Sequence, residues 1–317
     1  MSEDAPLSAA DFEARLRAIG DARYHHRHPF NLRMHAGALL PEEIRTWVAN
    51  RYYYQTRIPV KDGLILAKAP DPAFRREWVQ RIHDHDGTRE REGGLSLWLA
   101  LADAVGLDRQ RVESLADVLP GVRRACDAYV AFVESHDLLE SVAASLTELF
   151  AGDIMAERIA AFERHYPWVA TAGLRYFRAR TEQAPADAAF GLAFVKRAAR
   201  TRADQGRCAA ALERKCEILW SLLDAVEAAH AIPSLARHAL PRLDDPEPML
   251  VLPERALKLG GSGREIVQLI DGTRTAAGVA AILAERHRHQ TGIAADVHEF
   301  IGELAKLGAL ELRRAQP

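Results

Sequence analysis

The chain has 317 residues, of which 48% are hydrophobic and 27% charged, and it carries a formal net charge of −2 at pH 7. This is ordinary globular composition, with enough residues for one large core or for two domains. The near-neutral charge argues against nucleic acid or an anionic membrane as a partner.

Cysteine usage and the amino terminus point to the same compartment. Cys126, Cys208 and Cys216 lack the spacing of a zinc site and fit free thiols in a reducing environment. The start, MSEDAPLSAADF, is acidic and has no apolar region of the kind found in signal peptides. No apolar run approaches the roughly 18 residues of a membrane span. We therefore expect a cytoplasmic protein that does not enter a membrane.

Helical periodicity runs through most of the chain before residue 230. Because no alternating apolar and polar pattern interrupts it, we predict a single all-α domain built as a helical bundle. The clearest helical segments are 41–57, 72–91, 120–138, 140–160, 186–202 and 204–230. Breaks are expected at Pro59, Gly93–Gly94, Pro120, Pro167 and Pro185.

The pattern then changes to that of a small α+β domain. Residues 233–248 are rich in proline and contain an Asp-Asp pair, which predicts a linker. One or two short strands in MLVLPERALKL should follow, then a short helix with Ser262 as its cap. Two further helices are expected at 275–287 and 293–307, before a closing strand in ALELR. The predicted domains are 1–232, helical, and 249–317, α+β, joined by the linker at 233–248.

The segment 145–162, SLTELFAGDIMAERIAAF, reads as a helix with two charges on an otherwise small or apolar face. At about 100° per residue, Glu148, Met155 and Arg158 fall within an arc of about 80°. Glu148 and Arg158 are about 15 Å apart along the axis, so each should find a partner outside this helix. A salt bridge to another helix and a pocket for a small polyanion both remain open.

Further clusters place Arg or Lys beside Tyr, His or Gln at helical spacing. Each one alone is compatible with ordinary packing or with a solvated helix end. Taken together they suit an aromatic or quinoid ligand with several carboxylates, because Arg binds carboxylates while Tyr and His move protons. The clusters are Tyr24 and His25 in RYHHRHPF, Arg51 and Gln55 in NRYYYQTRIPVKD, Arg81 and His85 in RREWVQRIHDHDG, Tyr176 and Arg180 in LRYFRART, and Lys215 in ERKCEILWSLLDAV.

Two motifs invite a metal interpretation that their spacing does not favour. His83 and His85 flank Asp84, but residues i and i+2 of a helix point about 200° apart and cannot share one ion. Glu227-Ala-Ala-His230 has the spacing of a di-iron helix, yet such sites need two of these motifs and the sequence has one. We expect no metal site.

The motifs together resemble a known family. YHHRHPF, WVANRYYYQTRIPVKD, RREWVQRIHDHDG, LPGVRRACDAYV, SLTELFA, HYPW with RYFRAR, and ILWSLLDA look like pyrroloquinoline-quinone synthase, PqqC. They occur in the family's order and cover the chain from about residue 12 to 230. LPERALKL, IVQLIDGTRT and DVHEFIGELAKLGAL look like PqqD, the small peptide-binding protein of the same pathway. The chain therefore resembles a natural fusion of the two.

The resemblance carries expectations about fold and reaction. It implies a seven-helix bundle similar to haem oxygenase and to TenA-type thiamin enzymes, usually a homodimer, followed by a winged-helix-like PqqD domain. It implies an oxidoreductase that closes a ring in a bicyclic quinoid precursor and removes eight electrons, with dioxygen as acceptor and pyrroloquinoline quinone (PQQ) as product. No metal or redox cofactor is implied. The PqqD-like part implies binding of the precursor peptide or of the radical-SAM enzyme of the pathway.

The resemblance also assigns roles to individual residues. It implies that His25 and His85 transfer protons and that Tyr176 and Arg180 form the dioxygen site, with Glu148 completing the catalytic set. The residues that it places on the ligand are Tyr24, Arg51, Gln55, Lys61, Arg81, Tyr129, Arg158 and Lys215.

Two positions depart from the family's pattern. Met155 stands where the family usually has a histidine that helps to form the oxygen pocket, and a thioether can neither donate a hydrogen bond nor carry a proton. Asn31, in HPFN, replaces a second histidine. The PqqD-like part also lacks much of the family's first β-hairpin. Either the enzyme tolerates Met155 with slower oxygen steps, or the chain is a divergent paralogue.

Two other functions remain open from the sequence. A TenA-like hydrolase of thiamin derivatives would need an activated cysteine, for which Cys126 is a candidate, although nothing marks that thiol as reactive. A non-catalytic protein that binds the quinone or its precursor would use the same pocket, and the departures at Met155 and Asn31 keep this alternative open beside the synthase.

Overall fold

The computed structural model describes residues 5–314. They form two compact units. The first comprises the residues as far as Ala116 together with Val122–Leu223, and the second comprises Asp117–Gly121 together with the residues from Asp224 onward. No helix in the described part of the chain is long and apolar enough to cross a bilayer.

The first unit is helical throughout its regular structure, as predicted. Several of its helices begin at a proline, a residue favoured in the first turn because it has no N–H to leave unpaired. The helices that lie wholly or mostly in this unit are α1 Ala9–Arg23, α2 Pro29–His35, α3 Pro41–Lys68, α4 Pro72–Asp86, α5 Gly94–Ala104, α6 Arg109–Glu113, α7 Pro120–Ser135, α8 Leu138–Ala144, α9 Ala151–His165, α10 Arg175–Ala198 and α11 Arg202–Ala229. Short 3-10 helices cover His25–Arg27, Ser145–Phe150 and Thr171–Leu174.

Three local predictions for this unit are wrong. Pro59 lies inside α3 and Pro185 lies inside α10, where breaks were expected. A proline inside a helix costs about 3 kcal/mol, and the burial of apolar side chains along both helices outweighs that local cost. The single helix expected at 145–162 is also wrong, because a 3-10 helix over Ser145–Phe150 precedes α9.

A cluster of large aromatic rings forms the core beside the polar site. Trp47 and Trp98 pack edge to face with their ring centroids 5.4 Å apart, and Phe177 lies 5.9 Å from Trp98. The Trp98 indole Nε1 donates to the carbonyl oxygen of Val48 at 2.9 Å, which fixes the ring plane. Tyr176 packs its ring edge to face with Trp98 at 4.8 Å, so the same cluster orients this predicted site residue.

The second unit combines two small antiparallel sheets with three helices. Strand β1 (Ala231–Leu235) pairs with β5 (Leu310–Arg314), and β2 (Leu240–Arg242), β3 (Met249–Leu252) and β4 (Arg255–Lys258) form a meander. The helices are α12 Gly263–Leu269, α13 Ala276–Arg286 and α14 Ile293–Lys306. Leu250, Val279 and Leu283 are fully buried in the core of this unit. The α+β prediction is confirmed, and its two strands, three helices and closing strand are found where they were expected.

The linker prediction at 233–248 is not matched by the structure, because β2 and most of β1 lie in that range. The linker was predicted from the prolines in this range, but proline also occurs in strands at sheet edges. Pro233 lies in a two-stranded sheet and Pro241 in an edge strand, where a missing N–H breaks no ladder on the open side. Ser262 does precede α12, but its side chain makes no capping hydrogen bond.

A substitution at Gly20 tests how closely α1 packs against the Phe150 ring. A Cβ atom at this position would lie 1.8 Å from Cζ of the Phe150 ring, and that ring packs against Tyr24 with centroids 5.4 Å apart. We expect Gly20→Ala to lower the free energy of unfolding by about 1–3 kcal/mol, because the added methyl overpacks this contact. Urea denaturation measures the change.

Gly63→Ala is the matched control. It adds the same methyl within α3, where a Cβ would meet nothing within 4 Å, and should raise stability by about 0.5–1 kcal/mol. Equal stabilities of Gly20→Ala and the wild type would show that Phe150 does not press against α1.

Candidate active site

The predicted site residues come from nine elements of the first unit and the residue before the first 3-10 helix, and all except Glu148 are buried. Glu148 keeps 19% of its side chain exposed. Tyr24 and His25 lie at the first 3-10 helix; Asn31 on α2; Arg51, Gln55 and Lys61 on α3; Arg81 and His85 on α4; Tyr129 on α7; Glu148 on the second 3-10 helix; Met155 and Arg158 on α9; Tyr176 and Arg180 on α10; and Lys215 on α11.

One half of the site is a closed arrangement of two arginines and two carboxylates. Arg180 Nη2 lies 2.5 Å from Glu148 Oε2, and Arg81 Nη2 lies 3.4 Å from Glu148 Oε1. Asp187 Oδ2 lies 3.3 Å from both Arg81 Nη1 and Arg180 Nη1. Burial raises the pKa of Glu148, but the charges of Arg180 and Arg81 outweigh burial and bring it to about 2. The outside partner expected for Glu148 is therefore a pair of arginines on other helices.

Asp187 was missed by the sequence reasoning. It lies seven residues after Arg180, which is two turns of the same helix, and this spacing was the available signal. Burial raises the pKa of Asp187, while Arg81 and Arg180 act in the opposite direction.

A second missed carboxylate, Asp62, lies under the site and is 0% exposed. Its Oδ1 is 2.7 Å from Lys61 Nζ and accepts a hydrogen bond from Trp78 Nε1 at 2.9 Å. Lys61 Nζ also donates to Ser145 Oγ at 3.0 Å, and that hydroxyl is 3.2 Å from the Tyr129 hydroxyl. This chain of polar contacts fixes the Lys61 ammonium and the Tyr129 hydroxyl. The pairing of Lys61 with Asp62 could not be predicted from the sequence, because neighbouring residues of a helix usually face apart.

Tyrosine rings, instead of carboxylates, surround two further cations. The Arg51 guanidinium carbon lies 3.9 Å from the centroid of the Tyr54 ring. Lys215 Nζ lies 3.3 Å from the centroid of the Tyr129 ring and donates to the Tyr54 hydroxyl at 2.8 Å. Among residues 5–314 neither cation has a carboxylate within 4 Å.

Arg158 is the third cation without a carboxylate in the described residues. Its Nη2 donates to Asn31 Oδ1 at 3.1 Å, and its guanidinium lies 5.2 Å from the Trp47 ring centroid. Met155 Sδ lies 3.9 Å from Nη1, and the buried Nε has no partner. The outside partner expected for Arg158 is thus a neutral amide and an aromatic face.

Burial and mutual repulsion leave these cations in need of negative charge. Burial, Lys61 and Arg51 hold the pKa of Lys215 well below its usual value. Burial and Arg51 lower the pKa of Arg158 to about 10. A small anion with several carboxylates would relieve both effects, because opposite charge in a buried site favours the protonated cation.

The two predicted proton-transfer histidines are both neutral at pH 7. Burial, Arg158 and Arg51 hold the pKa of His25 well below its usual value, and neither of its ring nitrogens has a partner. Burial and Arg180 lower the pKa of His85 to about 4. His85 Nδ1 lies 2.9 Å from the carbonyl oxygen of Arg81, which can only accept, so Nδ1 carries the proton and Nε2 is left as a base.

Tyr176 and Gln55 form a polar pair beside Arg180. Burial raises the pKa of Tyr176, so its hydroxyl stays protonated and donates to Gln55 Oε1 at 3.0 Å. The buried Gln55 Nε2 has no partner and can donate to a bound molecule. A cleft of about 460 Å³ reaches Tyr176 and Arg180 and is also lined by Gly94, Leu97 and Gln183.

The donor set suits an organic anion better than a metal ion. Most of its polar atoms belong to guanidinium, ammonium, amide and phenol groups, which bind anions and oxygen atoms. Within the described residues, no group of three or more His, Cys, Asp and Glu side chains is placed to hold a metal.

Comparison with known proteins places this chain in a family. The profile of the TENA/THI-4/PQQC family matches residues 13–225, which is more than half of the chain. The chain belongs to this family. The profile of coenzyme PQQ synthesis protein D (PqqD) matches residues 247–310, so the chain joins a TENA/THI-4/PQQC part to a PqqD part.

Curated relatives agree with this membership, and solved structures share the fold. Pyrroloquinoline-quinone synthase of Gluconobacter oxydans (strain 621H) is 48% identical over 71% of this chain and 94% of its own length. The synthase of Rhizobium meliloti (strain 1021) is 50% identical over 70% of this chain and 87% of its own length. A TenA homologue from Pseudomonas syringae pv. tomato matches 69% of this chain and 94% of its own with a TM-score of 0.58 at 13% identity. A domain with a heme oxygenase-like fold from Shewanella denitrificans also gives a TM-score of 0.58, at 14% identity, over 70% of this chain and 93% of its own. The predicted helical fold is confirmed.

Because His25 is neutral in the folded protein, the free energy of unfolding should depend on pH in the acid range. Its folded pKa lies well below the usual 6.5, so below pH 6.5 the unfolded chain binds a proton that the folded chain does not. Stability therefore falls as pH drops through this window. We expect His25→Gln to remove about 1.4 kcal/mol per pH unit from the slope between about pH 6 and 4.5.

Urea denaturation at several pH values measures this slope. His165→Gln, at an exposed position at the end of α9, is the control and should leave the slope unchanged. A slope that is the same in His25→Gln and the wild type would mean that His25 is protonated in the folded protein.

Proposed function

We propose that this TENA/THI-4/PQQC chain is a pyrroloquinoline-quinone synthase. The observation that carries the proposal is the trio Arg51, Arg158 and Lys215, three buried cations without a carboxylate partner in the described residues. Relatives with about half of their residues identical bear the name of that enzyme. The proposed substrate, a bicyclic quinoid acid with several carboxylates, has the charge that this trio lacks.

In the proposed reaction the protein supplies positioned charge and bases. Arg51, Arg158 and Lys215 hold the substrate carboxylates, because buried cations bind anions strongly once water is excluded. The neutral imidazoles of His25 and His85 accept protons from the substrate during ring closure and oxidation. As negative charge is bound, the pKa of each imidazole rises, which makes it a better base.

Dioxygen is the proposed electron acceptor and requires no further cofactor. A deprotonated quinol is rich in electrons and can reduce dioxygen directly, while the protons released to the bases neutralise the reduced oxygen. Tyr176 and Arg180 are proposed to face dioxygen, with the phenol donating a proton or hydrogen bond and the guanidinium stabilising negative charge. Glu148 keeps Arg81 and Arg180 in place through its two ion pairs. The remaining members of the proposed ligand pocket are Tyr24, Gln55, Lys61 and Tyr129.

The PqqD part is proposed to bind the precursor peptide or the radical-SAM enzyme that modifies it. Two observations support this. The PqqD profile matches residues 247–310, and the second unit has its own buried core. Such a fusion would keep the synthase and the carrier of its precursor on one chain.

The TenA-like hydrolase is disfavoured by the state of Cys126. This residue is fully buried, and burial raises the pKa of its thiol to about 12. A thiol in that state is not a nucleophile at neutral pH. The many basic residues would also have no role in that hydrolysis.

The proposed function is tested by mixing the purified full chain with the bicyclic precursor in air and under argon. Absorption spectra follow the quinone, and an oxygen electrode follows dioxygen. We expect the PQQ spectrum in air only, with dioxygen consumed. A shifted spectrum without dioxygen uptake would identify a binding protein instead, and an unchanged spectrum would contradict the proposed substrate.

Met155 yields a second prediction for the same assay. Its thioether, 3.9 Å from Arg158 Nη1, cannot donate or carry a proton. We expect Met155→His to speed the dioxygen-dependent phase about tenfold or more, since a positioned acid or base contributes about 10²–10⁴-fold. Stopped-flow mixing of the anaerobic complex with dioxygen measures this phase.

Met155→Leu is the control, because it keeps the apolar volume and adds no proton carrier. It should react at the wild-type rate. An unchanged rate in Met155→His would place position 155 outside the oxygen chemistry.

A further inference from the structure

Asn31 is buried between Arg158 and the turn that carries His25. It lies on α2, is 0% exposed, and uses both ends of its amide. Its Oδ1 accepts from Arg158 Nη2 at 3.1 Å, and its Nδ2 donates to the carbonyl oxygen of His25 at 2.6 Å. One side chain therefore joins the anion-binding half of the site to the turn that carries His25.

The chemistry of this contact differs from that of the contacts made by Arg81 and Arg180. Arg81 and Arg180 are each held by the carboxylates of Glu148 and Asp187. Arg158 is held by an amide oxygen, which aims the guanidinium but adds no negative charge. A carboxylate of nearly the same shape would aim it equally well and would neutralise it.

We propose that Asn31 is a specificity-determining residue that positions Arg158 while leaving its positive charge free for a polyanionic ligand. The inference rests on the proposed function only in taking the ligand of this site to be polyanionic. The replacement of the family's histidine by Asn31 then serves the site, because the neutral amide leaves Arg158 positively charged beside Arg51 and Lys215.

Two features of the neighbourhood support this role. Trp47 contacts the guanidinium with its ring face, and Met155 contacts it with a thioether, so neither contact neutralises Arg158. The buried Nε of Arg158 has no partner among the described residues, so the guanidinium retains a donor for a bound carboxylate. The side chain at position 31 is thus the polar group that decides whether Arg158 keeps its positive charge or is neutralised.

The test is calorimetric binding of two probes, PQQ and benzene-1,2,4-tricarboxylate, to the full chain. Asn31→Asp should weaken both by about tenfold or more, because a close buried charge pair is strongly coupled and now competes with the ligand. The slope of log Kd against log salt should also fall. Leu32→Asp adds the same charge at the next residue, which is 55% exposed, and should bind both probes like the wild type.

A mutant cycle separates positioning from a general loss of structure and does not require Asn31→Asp to fold. Asn31→Ala should weaken PQQ binding while keeping the salt slope, because Arg158 stays charged but is no longer aimed. In an Arg158→Gln background, Asn31→Ala should have no further effect.

Several results would overturn the inference. They are wild-type affinity in Asn31→Asp, an equal loss in Leu32→Asp, full additivity in the cycle, or no binding of either probe by the wild type. The proposed function can fail separately. If the wild type binds both probes and the variants behave as expected, but no PQQ forms from the precursor, Asn31 has the role proposed here in a protein that is not the synthase.

Discussion

The burial of more positive than negative charge is the constraint on which the rest of this site depends. Six basic side chains, Arg51, Lys61, Arg81, Arg158, Arg180 and Lys215, are buried in one region with the carboxylates Asp62, Glu148 and Asp187. The carboxylates hold Lys61, Arg81 and Arg180 in fixed geometry. Desolvated charge without a counter-charge is unfavourable, so the other three cations lower the stability of the fold until an anion binds. Function and stability therefore oppose each other at this point.

Aromatic rings make this arrangement tolerable. Tyr54, Tyr129 and Trp47 present their faces to the unpaired cations, and ring faces attract positive charge without neutralising it. The same rings belong to the packed core or adjoin it, so the hydrophobic cluster that stabilises the bundle also positions the cations. A carboxylate in place of any of these rings would stabilise the cation locally and would remove the attraction for a ligand.

The site is divided into a half whose charges are neutralised and a half with excess positive charge, and this division would orient a bound anion. The carboxylates of the proposed ligand would be drawn to the positive half. His25 lies among those cations, and burial together with their charge keeps its imidazole neutral. The half that contains Arg81 and Arg180 is already balanced by Glu148 and Asp187, and it faces His85, Tyr176 and Gln55. The half with Arg81 and Arg180 is therefore suited to proton and oxygen chemistry. Because its arginines are already paired with protein carboxylates, it does not need a ligand carboxylate for charge balance.

The helical class, the α+β tail, the family resemblance and the residue types of the site could all be predicted from the sequence, because periodicity and motifs are local properties. The breaks predicted at Pro59 and Pro185 are wrong, because burial of the two helices overrides the local effect of proline. The strands at 231–242 were missed, because proline is tolerated at the edge of a sheet. The pairing of charges could be seen only in the folded chain. Asp62 and Asp187 are ordinary acidic residues in the sequence, and Asn31 reads there as a lost histidine. Their roles follow from which side chains meet across helices far apart in the chain, and no spacing within one helix encodes that.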